Sequence, residues 1–150
     1  MSSIWSKYSL YFGWIVALLA TGGSLYFSEV IHFIPCTLCW YQRILMYPLV
    51  ILLGIASYRG YKEIYSYVLP MTILGWIIAF YHYFGVEQEV FGQLESPFCQ
   101  AGAPCNAKWI NWLGFITIPF LSFIAFTLIT IFMIVTWRNY KQSQRSEAGN

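Results

Sequence analysis

Residues 36–58 read CTLCWYQRILMYPLVILLGIASY, a Cys-x-x-Cys motif running directly into an apolar stretch. From Trp40 to Tyr58 the stretch carries a single charge, Arg43, and it approaches the ~20 residues that cross the ~30 Å hydrocarbon core of a bilayer. Three more runs of this kind lie at Leu10 to Phe27, Tyr65 to Phe84 and Leu113 to Thr136. The whole chain of 150 residues is 59% hydrophobic and 9% charged, with a mean hydropathy of +0.59. So little polar surface cannot cover a soluble globule. The expected fold is all-α, a polytopic membrane protein with a four-transmembrane-helix bundle and two short loops on one side. No repeat, low-complexity run or linker divides it, so residues 1–150 read as one membrane domain with polar tails.

Charge placement orients the bundle. Lys7 precedes the first run, Arg59 and Lys62 separate the second from the third, and Arg138, Lys141 and Arg145 follow the fourth. Positive residues stay on the cytoplasmic side, which puts both termini there. The segments around Ser28 to Leu38 and Gly85 to Trp112 then face outward; they hold Cys36, Cys99 and Cys105, with Cys39 at the boundary of the first. Thiols outside the cytoplasm lie where disulfides persist. A cleaved leader is a poor reading of the first run, which exceeds a usual signal core and is followed only by a weak cleavage site at Gly22-Gly23-Ser24. The net charge of +2, without a basic stripe, gives no support to nucleic-acid binding.

Within the runs, Gly13, Ala17, Ala20 and Ser24 recur at helical spacing and suit close helix packing. Pro48 and Pro119 are expected inside the second and fourth spans, bending each. Tyr26, Phe27, Trp40, Tyr41, Tyr81, Tyr83, Phe84, Trp109 and Trp112 fit interfacial anchoring. Ala107 to Leu113 is expected to lie along the outer surface, and Lys141 to Asn150 to form a mobile polar tail.

The chemistry sits in two cysteine pairs. Cys36 and Cys39 lie within one turn at the mouth of the second span, a spacing used by reversible dithiols and also by zinc sites. Cys39, near a helix N-terminus, is placed to favour a thiolate. Arg43 stands one turn further on the same face. A charge at that depth costs ~2.5–3.5 kcal/mol on insertion scales unless it snorkels or finds a partner. Stabilising the Cys39 thiolate and a polar cofactor head is the better reason for it than snorkelling. Cys99 and Cys105 flank Gln-Ala-Gly-Ala-Pro, a turn-prone loop able to bring the sulfurs together as a clamp or as an exchanging pair. Two short-range pairs beside an arginine favour a relay.

A relay requires an electron sink. An exported thioredoxin-like oxidant has a potential near about −120 mV, so its re-oxidation needs a strong acceptor. The chain has no haem, flavin or iron–sulfur motif. A lipid-soluble quinone entering between helices near Arg43 suits so small a membrane protein best.

The run Cys36-Thr37-Leu38-Cys39-Trp40-Tyr41-Gln42-Arg43, continuing to Tyr47-Pro48, together with Cys105, Trp109, Leu113-Gly114 and Pro119, resembles the DsbB family of disulfide bond formation proteins, in its Gram-positive, BdbC-type branch. The resemblance covers nearly the whole chain. It implies a quinone-dependent protein disulfide oxidoreductase of the bacterial cell membrane. A DsbA-like (BdbD-type) thioredoxin-fold thiol oxidase would be its partner, and a quinone, menaquinone or ubiquinone, its cofactor. Cys99 would be attacked by the partner, Cys105 would exchange with Cys36, Cys39 would face the quinone, and Arg43 would lie beside the quinone ring. The five-residue gap between Cys99 and Cys105 is shorter than in proteobacterial members.

His82, near the outer end of the third span, is a further cofactor-binding candidate, by hydrogen bond or proton relay. Glu29 and Gln42 are either polar neighbours of the quinone pocket or ordinary interfacial groups, with neither favoured, and Glu87, Glu89 and Glu95 read as a solvated, acidic outer loop. No metal site is assigned. A non-enzymatic membrane protein holding zinc or copper on the four cysteines is the alternative from another class, and nearby Arg43 disfavours it. Inert structural bridges and a vitamin K epoxide reductase-like enzyme are the remaining rivals.

Overall fold

A computed structural model describes residues 2–87 and 117–148. Helix α1 spans Ser2–Leu25 and continues as a π-helical turn over Tyr26–Val30. Helix α2 spans Thr37–Arg59. A 3-10 turn at Lys62–Ile64 leads into α3, Tyr65–Phe80, which also passes into a π-helical stretch, Tyr81–Glu87. Helix α4 spans Ile118–Ala148. Four segments, Tyr8–Val30, Thr37–Arg59, Lys62–Gly85 and Ile118–Ser146, are long and apolar enough to cross a membrane. Among the described residues every element is helical, as the membrane bundle expected from hydropathy requires.

The helices close a ring in which α1 packs on α2 and α4, and α3 packs on α2 and α4. Its centre holds Leu10 and Ala17 of α1, Leu49 and Leu53 of α2, Val68 of α3, and Phe126, Ile129 and Met133 of α4. The outer face is apolar as well: Leu19 is 71% and Ile51 65% exposed, as lipid-facing side chains would be. Since lipid supplies no hydrophobic drive between helices, close backbone approach and interhelical hydrogen bonds must hold the ring. Both are present. The Ser9 and Thr136 hydroxyls meet at 2.7 Å between α1 and α4, and Trp76 Nε1 donates to Thr127 Oγ1 at 3.0 Å between α3 and α4. Gly13, Gly54 and Gly75 let Met133, Trp14 and Phe126 respectively approach the backbone.

Gly60 ends α2 in the left-handed conformation at φ 67°, its N–H bonded to the Ala56 carbonyl. The turn that follows is tied to α4, with the Tyr140 hydroxyl donating to Glu63 and Tyr65 packed on Trp137 and Tyr140.

Three sequence expectations need correction. Pro119 lies in the first turn of α4 rather than inside it, where its missing N–H costs no helical bond. The segment from Lys141 is no loose tail: α4 continues to Ala148, through residues such as Lys141, Gln142 and Gln144 that form helix readily. The first loop is also shorter than Ser28 to Leu38, because the π turn extends to Val30 and α2 begins at Thr37. The expected surface segment Ala107 to Leu113, with Trp109 and Trp112, lies outside the described residues.

Candidate functional site

The first loop folds back on the end of α1. Ile31 N donates to the Tyr26 carbonyl at 3.2 Å, Phe33 N to the Phe27 carbonyl at 2.9 Å, and the Phe27 and Phe33 rings stack at 6.1 Å. His32 takes a positive φ of 60° in this reversal. The chain then enters α2 with Cys36 as N-cap, in extended conformation, its sulfur accepting from Cys39 N at 3.4 Å. Serine, threonine, aspartate or asparagine commonly fills this role. Here a thiol fills it, so the capping atom is also a reactive one.

One turn of helix brings Cys39 Sγ to 2.9 Å from Cys36 Sγ, and both are free thiols. The Cys36 thiol is pulled from 9.0 down to about 4, chiefly by the hydrogen bond from the Cys39 thiol and then by His82, against the opposing effect of burial. Cys36 is thus placed to hold a thiolate, by contacts from Cys39 N and the His82 ring that the sequence, which favoured Cys39, does not announce.

His82 comes from the π-helical end of α3 and is 1% exposed. Its Nε2 lies 3.7 Å from Cys36 Sγ, and its Nδ1 lies 3.2 Å from the Gln42 amide nitrogen. The geometry accommodates two proton arrangements. With Gln42 donating to Nδ1, the ring presents Nε2–H to a Cys36 thiolate. With the amide turned, Nδ1–H donates to the Gln42 oxygen and Nε2 accepts from a Cys36 thiol.

Gln42, which the sequence left between a pocket neighbour and an ordinary interfacial group, lines the cavity and meets the His82 ring. The signal was present: Gln42 falls at helical spacing between the apolar Leu38 and Met46, which are buried with it on α2. Glu29, by contrast, is exposed, with the Ser28 hydroxyl 3.4 Å from its carboxylate.

Arg43 reaches across to α1. Its Nε donates to Ser24 Oγ at 2.9 Å and its Nη2 to the Ser24 carbonyl at 3.0 Å, while the guanidinium lies 5.4 Å from the Trp40 ring centre. Ser24, read from sequence as a packing residue, is its anchor. A cavity of about 480 Å³ runs beside these groups. Cys36, Cys39, Gln42, Arg43 and His82 line its polar side, and Leu19, Leu121 and Leu128 are among its apolar walls on α1 and α4.

Cys99 and Cys105 lie outside the described residues, as do Glu89 and Glu95. Within the described residues, the donor atoms of Cys36, Cys39 and His82 fall within 4.8 Å of one another.

Residues 6–136 match the family model of the disulfide bond formation protein DsbB. The chain is 59% identical over 124 residues to the disulfide bond formation protein C of Bacillus subtilis strain 168, covering 83% of this chain and 88% of that one. It is 46% identical over 138 residues to the "Probable disulfide formation protein C 1" of Bacillus anthracis, covering 89% and 94%. It is 42% identical over 139 residues to a "Probable disulfide formation protein" of Coxiella burnetii, covering 91% and 92%. No solved structure matches the chain.

Proposed function

The chain belongs to the DsbB family of disulfide bond formation proteins and is a multi-pass membrane disulfide oxidoreductase; from that premise we propose that it re-oxidises an extracytoplasmic, DsbA-like (BdbD-type) thioredoxin-fold thiol oxidase and passes the electrons to a membrane quinone. The observation that carries this reading is the Cys36–Cys39 thiol pair, 2.9 Å apart, on the wall of the cavity it shares with Arg43. The reading takes residues 1–150 as one domain, with both termini cytoplasmic and the cysteine loops outside, on the strength of the Lys and Arg placement.

A quinone suits the cavity in size and chemistry. Its volume of about 480 Å³ is within the ~300–1,000 Å³ usual for small-molecule sites. Leu19 and Leu121, on α1 and α4, line it and are also exposed on the apolar outer face, which supports access from the lipid. A guanidinium carries five N–H donors, and Arg43 gives two hydrogen bonds to Ser24, leaving donors for a carbonyl oxygen in the cavity. When bound, the quinone would supply an acceptor for two electrons and two protons.

The cysteines then act in sequence. The partner's thiolate attacks Cys99 of the oxidised Cys99–Cys105 pair and Cys105 leaves. The partner's second thiol resolves the mixed disulfide, so the partner departs oxidised and the loop pair is reduced. Cys105 next attacks Cys36, displacing Cys39 as thiolate, and Cys99 attacks Cys105 to release Cys36. The two sulfurs of α2 finally rejoin, losing two electrons, with any thiol protons lost as the bond forms. His82 accepts or returns the proton at Cys36 Sγ, and Gln42 holds the ring in either arrangement. Arg43, anchored by Ser24, would hold the head group of a bound quinone.

The test is quinone reduction by the purified, detergent-solubilised chain supplied with a reduced thioredoxin-fold oxidase. Catalytic turnover abolished by Cys39→Ser and by Cys99→Ser is the expected result; no turnover with menaquinone or ubiquinone would overturn the reading.

A further inference from the structure

The reduced site has a second chemistry that a relay does not require. Cys36 Sγ lies 3.7 Å from His82 Nε2, and the three donor atoms, with Cys39 Sγ, fall within 4.8 Å of one another. Around a tetrahedral d¹⁰ cation, bonds of ~2.3 Å to sulfur and ~2.0 Å to nitrogen set neighbouring donors about 3.6–3.8 Å apart. The Cys36–His82 edge already has that length, and the Cys39–His82 edge is no longer than 4.8 Å. The sulfur–sulfur edge, 2.9 Å, must open by about 1 Å, within reach of a small side-chain rotation.

The surroundings suit a ligand set. A metal-bound histidine is normally oriented by a hydrogen bond at its other ring nitrogen, and Gln42 sits at Nδ1 of His82 at 3.2 Å. With its oxygen turned to Nδ1–H, Gln42 leaves the Nε2 lone pair directed at the sulfurs. All three donor residues line the cavity, which leaves room for a fourth ligand from solvent. Arg43, which argued against a cation from the sequence, directs two of its hydrogen bonds to Ser24 on α1.

We propose that the reduced protein binds a soft divalent d¹⁰ cation, zinc or cadmium, through Cys36, Cys39 and His82, and that the bound ion blocks re-formation of the Cys36–Cys39 bond. Binding displaces any protons remaining on the two sulfurs and moves no electrons. The sulfurs cannot join until the ion leaves. The binding half stands on the geometry alone; the blocking half rests on the redox reading above.

Cadmium is the probe, followed by its thiolate charge-transfer absorption in the reduced full-length chain carrying Cys99→Ser and Cys105→Ser, so that only the α2 pair reports. One ion per chain is expected, with no band from oxidised protein or from Cys36→Ser. His82→Ala should weaken binding about tenfold or more while keeping a sulfur band, and Gln42→Leu should weaken it by about tenfold. Absence of the band, or unchanged affinity in His82→Ala, overturns the three-ligand site. In the chain with all four cysteines, cadmium at one equivalent should halt quinone reduction and a chelator restore it. Turnover that persists with cadmium bound overturns the block. Failure of turnover before any cadmium is added counts against the redox reading alone, since the absorption titration still judges the site.

Discussion

Arg43 donates to both the hydroxyl and the carbonyl of Ser24, at 2.9 and 3.0 Å, so a single residue of α1 anchors the charge in the membrane part of α2. This contact fixes the guanidinium plane against the cavity. Ser24→Ala removes the Nε acceptor and leaves the carbonyl, so the side chain loses one of two restraints. A hydrogen bond to a charged group is worth ~1.5–3 kcal/mol, and with the carbonyl retained the loss should be near the lower figure. The quinone KM is expected to rise about tenfold with kcat little changed. Ser24→Thr, which keeps the hydroxyl, should restore most of the affinity. Steady-state kinetics at varied quinone decide it, and a fall in kcat at unchanged KM would count against the positioning role.

The Cys36 thiol supplies a pH signature. Its value is lowered from 9.0 to about 4, first by the Cys39 thiol and next by His82. In the reduced protein the thiolate is therefore present above about pH 4 and protonated below it. A folded-state value below the unfolded one gives stability that is complete above pH 9 and is lost progressively as pH falls to about 4. Ultraviolet thiolate absorbance should stay level across neutral pH and drop only in acid. Cys39→Ala, which deletes the largest contribution, should move that drop upward, and Cys39→Ser, which keeps a donor, should move it less. A titration midpoint in the ordinary thiol range for the unsubstituted reduced chain would contradict the assignment of the thiolate to Cys36.

The fold was legible because a bilayer imposes one dominant rule, a run of apolar residues long enough to span it, and α2 satisfies it from Trp40 to Tyr58. The Cys-x-x-Cys spacing likewise announced the thiol pair. Contacts between helices were not legible. Ser24 read as one small residue in a packing row, and only the crossing of α1 and α2 makes it the acceptor for Arg43. Gln42 was hidden because its partner, His82, lies forty positions away, on a stretch whose π-helical register no local pattern announces. Pro119 was misplaced because apolar residues continue before it, which leaves hydropathy blind to where the helix starts.

Ser9 and Thr136 offer a measure of what an interhelical hydrogen bond contributes in this bundle. Their hydroxyls meet at 2.7 Å, both residues are buried, and Thr136 also donates to the Phe132 carbonyl of its own helix at 2.9 Å. Double-mutant cycles in membrane proteins average ~0.6 kcal/mol for such pairs, because the separated helices also find partners. Ser9→Ala, Thr136→Val and the double variant, compared by unfolding in detergent, should give a coupling of about that size. A coupling near zero would mean that packing alone joins α1 to α4 at this end.

Gly75 shows how closely α3 and α4 meet. A Cβ built there would fall 2.2 Å from Phe126 Cε1 and 2.5 Å from its Cζ, and Phe126 is completely buried. The ring cannot swing away without displacing other parts of the core it shares with Val68, Ile129 and Met133. Gly75→Ala should therefore cost stability by overpacking, about 1–3 kcal/mol, even though alanine is the better helix former by ~1 kcal/mol. The sign of the outcome separates the two effects: propensity alone predicts a gain in thermal stability, whereas the steric contact predicts a loss. Phe126→Leu, combined with Gly75→Ala, makes room for the added methyl, so the double variant should be more stable than the sum of the single changes implies. Thermal unfolding of the four proteins in one detergent reads this directly. Strict additivity would show that the α3–α4 contact at this glycine is looser than the distances require.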